Sequence, residues 1–329
     1  MKSLWRDRSG RWALVFLATL ITVAVGADLI ASDLPLAVRV DQQTWLLPCL
    51  TRPAALEGKD LSGAEWVVRT PIRYGPLQTL AATRELRAEP PPWAPDDAHW
   101  LGTDELGRDV AARLIHGARV SLLVGFFTMV IAVLVGLALG GASGYLGGVT
   151  DVVISRVLEA VQTFPLVFFL LALLSLVRVQ SLLPLILALG LTRWTEVARL
   201  ARAEVLSLRS REFVLAARAL GASKTRLITR HLLPNAVRPV LVVATFGVGA
   251  AILLETALSF LGIGVAPPTA SWGELLTEAH RTLQHPGAWW LALFPGLAIA
   301  STVLAVNALG QAVQRVVEGR GRAGNSSVD

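Results

Sequence analysis

The sequence predicts an all-α integral membrane protein that crosses the bilayer six times. Only 16% of its 329 residues are charged, whereas 53% are hydrophobic. Soluble domains carry about 25% charged residues, so this deficit indicates a membrane protein. Six segments approach the length of about 20 mostly apolar residues that a spanning helix requires.

The six predicted spans are separated by polar or turn-forming residues. They cover residues 12–31, 120–146, 152–177, 182–201, 239–261 and 287–313. The fourth span is the weakest, because Arg193, Glu196 and Arg199 crowd its end. The predicted organisation is a cytoplasmic N-terminus with the first span at 1–31, a periplasmic or extracellular loop at 32–119, a five-helix core at 120–318 that includes a loop at 203–238, and a cytoplasmic tail at 319–329.

Basic residues predict the orientation of the chain. They concentrate before the first span, between the fourth and fifth spans, and after the sixth. Because they flank apolar runs, the positive-inside rule explains the net charge of +6 better than nucleic-acid binding does. Six spans place these regions on one side, so both termini are predicted to be cytoplasmic in a multi-pass inner-membrane protein. Arg108, Arg113 and Arg119 fall on the other side and are exceptions.

The loop at 32–119 is the largest predicted extramembrane region. Residues 34–40 and 44–50 are candidates for short strands. Cys49 is the single cysteine of the chain, which excludes an intramolecular disulfide and a cysteine metal cluster. The sequence does not indicate what this loop binds.

Glycines recur every fourth residue in and after the second span. Gly136, Gly140, Gly144 and Gly148 share one helix stripe, which permits another helix to approach closely. The partner is either a helix of this chain or a second subunit. We expect Gly144 and Gly148 to lie in the turn after the helix.

The sequence lacks the patterns of known catalytic or metal sites. Gly221 to Thr225 resembles the end of a phosphate-binding loop, but no glycine stands five positions earlier and no lysine directly follows Gly221. The five histidines are scattered, and neither a zinc-protease pattern nor a serine nucleophile elbow occurs. We therefore predict no catalytic residue, no metal site and no cofactor in this chain.

Two acidic residues interrupt predicted spans. An ionisable group at the bilayer centre costs about 2.5–3.5 kcal/mol on insertion scales. Asp28 lies near a span end and is expected to reach the interface. Glu255, followed by Ser259, lies deeper. Glu255 and Ser259 are candidates for a pathway-lining or gating site. The alternative is that Glu255 is a structural carboxylate bonded to a neighbouring helix.

The segment 209–239 is strongly basic and has the pattern helix, glycine, helix, proline. Its residues resemble the Glu-Ala-Ala loop ("EAA loop") of bacterial ABC importer permeases: Ala216-Ala217, three residues, Gly221, nine residues, then His231-Leu232-Leu233-Pro234. Leu215 stands where the family has glutamate, and Glu212 is nearby but out of register. The resemblance assigns ATPase coupling to a set of residues in this segment, namely Glu212, Ala216, Ala217, Gly221, Ala222, Leu233 and Pro234.

Further segments resemble the dipeptide/oligopeptide/nickel permease family, of the DppC/OppC type. They are His99–Asp109, Gly117–Leu122, Gly144–Gly148, Leu258–Gly264 and Ser271–Gly273. The resemblance implies the type I ABC importer permease fold. It also implies a non-enzymatic subunit that pairs with a homologous permease, two cytoplasmic ATPases holding ATP and Mg²⁺, and an external solute-binding protein.

Within that resemblance, Gly221 is expected to end a helix and Pro234 to stop the next one. The cargo stays open among dipeptides, oligopeptides, nickel complexes and sugars. The alternatives from other classes are an ion-coupled secondary transporter that acts without ATPases, which needs inverted repeats and intramembrane carboxylates, and a membrane-embedded enzyme. No repeat and no catalytic pair are evident in the sequence.

Overall fold

The chain is mostly helical. A computed structural model describes residues 7–56, 58–79, 90–177, 181–282 and 287–325. The described helices are α1 Arg8–Val25, α2 Ala27–Ile30, α3 Pro48–Thr51, α4 Val110–Leu146, α5 Gly148–Thr163, α6 Leu166–Val177, α7 Leu182–Leu208, α8 Glu212–Ala219, α9 Lys224–Arg226, a π-helical turn Leu227–Leu232, α10 Leu233–Phe260, α11 Trp272–Arg281 and α12 Trp290–Asn325.

Four helical stretches are long and apolar enough to cross a membrane. They are Arg8–Val25, Val110–Leu146, Lys224–Phe260 and Trp290–Glu318. A fifth is counted if α5 and α6, which meet at 90°, form one broken span. The chain is therefore a multi-pass membrane protein. The predicted fourth span is helical, as part of α7, but it does not meet the same criterion of length and composition, so the count of six stays a prediction.

Several helices extend beyond the predicted boundaries. Helix α4 begins at Val110 rather than at 120, because the Asp109 carboxylate caps it by accepting the Ala112 N–H at 2.7 Å. Helix α7 continues to Leu208, and α12 continues to Asn325. The apolar sequence pattern ends where a helix leaves the membrane, but the hydrogen bonds of the helix continue beyond that point. The apolar pattern therefore predicts helix ends that lie inside the observed helices.

The chain divides into two compact units, each formed from discontinuous segments. The first contains 1–16, 124–254 and 302–329, and the second contains 17–123 and 255–301.

In the first unit, the glycine stripe packs α4 against α7. A Cβ on Gly136 would lie 2.5 Å from Val197, and one on Gly140 would lie 2.9 Å from the Ala198 carbonyl carbon. Gly144 is inside α4, not in the following turn, and a Cβ there would lie 2.7 Å from the Arg202 carbonyl oxygen. Gly136, Gly140 and Gly144 therefore serve helix packing within this chain, whereas a Cβ on Gly148, the first residue of α5, would meet no atom within 4 Å.

In the second unit, the segment between α1 and α4 contains a small three-stranded antiparallel sheet. Its strands are β1 Ala37–Val40, β2 Gln43–Leu46 and β3 Trp66–Val68, in the order β2-β1-β3. The two predicted strands are present but shorter, and β3 was not predicted. Val38 and Val40 face a core that includes Cys49 and Leu56, so the loop has an apolar core of its own.

Candidate functional site

Helix α8, the predicted coupling helix, has charges that suit its dipole. Glu212 lies in its first turn and Arg218 in its last. Negative charge at the N-terminus and positive charge at the C-terminus stabilise a helix by roughly 0.3–1 kcal/mol each. A short isolated helix is marginal in water, so α8 also depends on packing against the rest of the first unit.

Gly221 ends α8 in a Schellman motif. Its φ is +80°, in the left-handed region that glycine adopts without strain. The Gly221 N–H donates to the Arg218 carbonyl at 3.0 Å, and the Ala222 N–H donates to the Ala217 carbonyl at 3.1 Å. This is the pair of bonds that defines the motif. The expectation that Gly221 ends the helix is therefore met.

One face of α8 packs inward. Val214 is buried in a cluster with Tyr145, Val205, Leu227 and Leu232, and Ala217 and Ala222 pack against that cluster. These two alanines are therefore supports of the helix position rather than freely exposed contacts.

Three large apolar side chains, two on α8 and one at its C-cap, are exposed. Phe213 is 45% exposed, Leu215 is 48% exposed and Leu220 is 89% exposed. Glu212, Ala216 and Gly221 are exposed as well. The sequence prediction assigned ATPase coupling to Glu212 and to small residues of this segment, but not to Phe213, Leu215 or Leu220. Exposed apolar side chains on a helix between two spans are nevertheless a detectable signal of docking.

The chain does not break at Pro234, and that prediction is wrong. The Ser223 hydroxyl caps the next helix by accepting the Arg226 N–H at 3.3 Å, and the chain then stays helical from Lys224 to Phe260. A proline removes one N–H donor and crowds the preceding turn. Here the π-helical turn Leu227–Leu232 precedes it, and the Asn235 side chain donates to the His231 carbonyl at 2.7 Å. The wider turn and this side-chain bond accommodate the proline inside a continuous helix.

Ion pairs hold the approach to α8 in place. Arg202 of α7 donates two hydrogen bonds to the Asp151 carboxylate, at 2.6 and 2.7 Å, and the Ser143 hydroxyl donates to the same carboxylate at 2.5 Å. Arg209 donates to the Gly144 carbonyl at 3.4 Å. Bidentate arginine–carboxylate pairs fix geometry as well as charge, so α7 is clamped shortly before α8 begins.

Glu255 is fully buried in the second unit. Its Oε1 accepts hydrogen bonds from the hydroxyls of Ser259 and Ser271, both at 2.9 Å. The Ser271 hydroxyl also caps α11 by accepting the Glu274 N–H at 3.1 Å. These bonds agree with the structural alternative for Glu255, and a role for Glu255 and Ser259 in a pathway stays a prediction.

A second buried site collects five charged residues from α11 and from the segment before and within α4. Asp104, Arg108, Arg113, Glu274 and Glu278 form one network of ion pairs. Arg113 is at its centre, donating to Glu274 at 2.5 Å, to Glu278 at 2.6 Å and to Asp104. Burial raises the pKa of Glu278, and the neighbouring Arg113 opposes that shift.

The loop around Asp104 is itself tightly fixed. The Asp104 carboxylate accepts the backbone N–H groups of Leu106 and Arg108, each at 2.9 Å. The Trp290 indole donates to the Thr103 carbonyl at 3.1 Å. Asp109 pairs with His99 at 2.8 Å. Apart from Trp290, these residues lie in the segment His99–Asp109, which resembles the permease family. The structure shows that they form a hydrogen-bonded scaffold.

The third exceptional arginine is also neutralised. Arg119 donates to the Ala24 and Val25 carbonyls at the end of α1 and to the Asp28 carboxylate, each at 2.9 Å. Asp28 therefore pairs with Arg119. All three arginines that disagree with the charge rule pair with carboxylates of this chain.

The comparisons with known proteins agree with this architecture. A family model described as binding-protein-dependent transport system inner membrane component matches residues 113–322. A dipeptide transport system permease protein DppC of Alkalihalophilus pseudofirmus is 37% identical over 245 residues, covering 74% of this chain and 80% of the relative. The DppC protein of Bacillus subtilis is 40% identical over 224 residues, covering 68% and 69%.

A putative peptide permease protein of Brucella suis is 41% identical over 227 residues, covering 69% of this chain and 75% of the relative. Among solved structures, an inward-facing MetNI methionine ABC transporter chain aligns with a TM-score of 0.51 at 17% identity. That alignment covers 63% of this chain and 95% of the other, and it supports the fold alone. The chain belongs to the family of binding-protein-dependent transport system inner membrane components.

Proposed function

We propose that this chain is the transmembrane permease subunit of an ATP-driven ABC importer for peptides, in the dipeptide and oligopeptide class. Relatives named as dipeptide or peptide permeases, about 40% identical over two thirds of the chain or more, support the cargo class. In this proposal the chain forms half of a translocation pathway, with six spans and both termini in the cytoplasm. It is not itself an enzyme.

The exposed apolar surface at α8 is the observation that carries the proposal. Phe213 and Leu215 on α8 and Leu220 at its C-cap are exposed outside the spans, and exposed apolar side chains of this kind are typical of a docking site. The occupant we propose is a cytoplasmic ABC ATPase, one of two that bind ATP and Mg²⁺. No cofactor is assigned to this chain.

Rigid coupling is the mechanism that this geometry favours. The Val214 face packs α8 onto the first unit, and the Asp151–Arg202 pair clamps the helix that leads into it. A movement of the docked ATPase would therefore be transmitted as a rigid-body displacement of packed helices rather than absorbed by a loose loop. The continuous helix Lys224–Phe260 carries this displacement directly into a span.

The remaining partners are a homologous permease and an external solute-binding protein, with membrane lipid around the spans. Purification of the tagged chain from its native membranes tests the assembly. We expect a second permease and ATPase subunits to co-purify. A chain that is isolated alone and transports without ATP would contradict the proposal and favour an ion-coupled transporter.

A further inference from the structure

A charged cavity lies at the 90° bend between α5 and α6, within the first unit. Its volume is about 420 Å³, inside the range of roughly 300–1,000 Å³ typical of small-molecule sites. Apolar side chains at the bend form one side, and polar and charged side chains of α7 form the other. The residues that matter here are Gln162, Phe164, Phe169, Arg193, Glu196 and Arg199.

In the span arrangement proposed above, the bend lies within the bilayer. Helices α6 and α7 follow each other in the chain and pack against each other. Helix α6 has 12 residues and is therefore roughly 18 Å long, shorter than the bilayer core of about 30 Å. Arg193 is the twelfth residue of α7, counted from Leu182, which places it level with the bend.

Broken backbone at this depth requires a polar surrounding. The helix stops at Thr163, Phe164 is extended, and Pro165 has no N–H to donate. Non-helical backbone inside a bilayer occurs only where it is buried in protein or lines a water-filled cavity. The cavity at the bend, with its charged wall, meets the second condition.

The charges facing this cavity are only partly satisfied. Arg193 donates to Glu196 over 3.2 Å, a long contact for an ion pair, and its buried Nε has no hydrogen-bond partner among the described residues. The Arg193 side chain is 19% exposed and that of Glu196 is 55% exposed. Arg199 lies one turn further along and is exposed. An unpartnered buried donor is costly, and this cavity has one in its wall.

We propose that this cavity contacts the cargo during translocation and recognises the charged ends of a short peptide. The proposal rests on the function proposed above and assigns a site to it. Arg193, with Arg199 beside it, provides guanidinium donors for a terminal carboxylate, the geometry for which arginine is suited. Glu196 accepts hydrogen bonds from a terminal ammonium group. Phe164 and Phe169 supply apolar surface for side chains of variable size.

The test uses the complete importer reconstituted in liposomes, with ATP on the cytoplasmic side. ATP-driven uptake of dialanine, which has a free carboxylate, is compared with uptake of dialanine amide, which lacks it. We expect Arg193→Gln to lower dialanine uptake about tenfold or more, the effect of losing one charge-assisted hydrogen bond. Uptake of the amide should change little, so the preference for the free carboxylate falls.

The chain offers a matched control. Arg156 and Glu159 of α5 form an ion pair of the same residue types and spacing, at 2.7 Å, with both side chains exposed and neither lining the cavity. Arg156→Gln should leave uptake of both peptides and the preference between them unchanged. The same preparations are checked for subunit content and ATPase activity, which Arg193→Gln should preserve.

Three results would overturn the proposal. They are unchanged dialanine uptake by Arg193→Gln, an equal loss for both peptides, and loss of the second permease from the complex, which would make the cavity a subunit contact. Absence of ATP-driven uptake of any peptide by the wild-type importer would instead overturn the proposed function, and this inference with it.

Discussion

Arg113 donates a hydrogen bond of 2.5 Å to Glu274, across 161 positions of sequence, and both side chains are buried. This pair joins the N-terminal part of α4 to α11. Glu278 and Asp104 complete the surroundings of the same guanidinium. A buried ion network of this kind fixes geometry, and its disruption leaves charges without partners.

Replacement of Arg113 by leucine should destabilise the second unit strongly. The substitution leaves three buried carboxylates without their shared cation, and breaking a buried pair typically costs about 3–5 kcal/mol. The thermal unfolding midpoint of the purified complex measures the effect. Arg156→Leu, which removes one partner of an exposed pair, is the control and should change the midpoint little. Equal midpoints for the two variants would contradict the assigned role of Arg113.

Glu255 can be assigned by comparing two substitutions. Glu255→Gln keeps an oxygen that accepts from Ser259 and Ser271, so stability and peptide uptake should both stay close to wild type. Glu255→Leu leaves two buried hydroxyls without an acceptor, at a cost of about 1–3 kcal/mol for each unsatisfied group. A large loss of uptake by the glutamine variant at normal stability would instead establish the pathway or gating role.

Replacing glycine by alanine should have opposite effects at Gly140, which belongs to the glycine stripe, and at Gly249 of α10, which does not. Alanine at Gly140 would place its Cβ 2.9 Å from the Ala198 carbonyl carbon and push α4 away from α7. We expect lower stability of at least about 1–3 kcal/mol from this overpacking. Alanine at Gly249 meets nothing closer than 3.6 Å, and the gain in helix propensity should make it neutral or stabilising. Thermal midpoints of both variants check this, and a harmless Gly140→Ala would exclude close α4–α7 packing.

Cys49 reports on the small apolar core beside the three-stranded sheet. The thiol is 1% exposed, and burial raises its pKa above the usual value, so less thiolate is present at pH 8 than for a free cysteine. We expect slow labelling by a water-soluble maleimide, accelerating only at higher pH. Leu56→Ala opens the same core and should speed labelling severalfold. Rapid labelling of the wild-type chain at pH 7 would show that this core is not formed.

Local patterns predicted the helical class and the glycine-terminated helix well. The helix end at Gly221 was predictable because glycine is the residue type that most readily adopts the left-handed conformation after a helix. Four of the six predicted spans were predictable because lipid imposes a length and an apolar composition. The role of the glycine stripe stayed open, because spacing shows that a helix can approach and not which helix does.

Ion pairs between residues far apart in the chain could not be predicted from the single sequence. No local sequence pattern links Arg113 to Glu274, which lies 161 positions away. The sequence therefore identifies the arginines near α4 only as exceptions to the positive-inside rule. Pro234 was misread for a related reason. Proline predicts a helix end locally, whereas the π-helical turn before it and the Asn235 side chain allow the helix to continue.

The surface at α8 and Gly221 is the proposed docking site of the ATPase. The most direct measurement compares Gly221→Asp with Gly262→Asp in ATPase co-purification from membranes. Both glycines have positive φ, +80° and +78°, both end a helix in the same motif, and neither Cβ would meet an atom within 4 Å. The backbone strain and the added charge are therefore matched.

We expect both variants to reach the membrane. Gly221→Asp should lose most of its bound ATPase and its peptide uptake, whereas Gly262→Asp should retain the ATPase. Wild-type levels of bound ATPase and uptake with Gly221→Asp, or equal losses of bound ATPase in both variants, would contradict the assignment of α8 as the coupling helix.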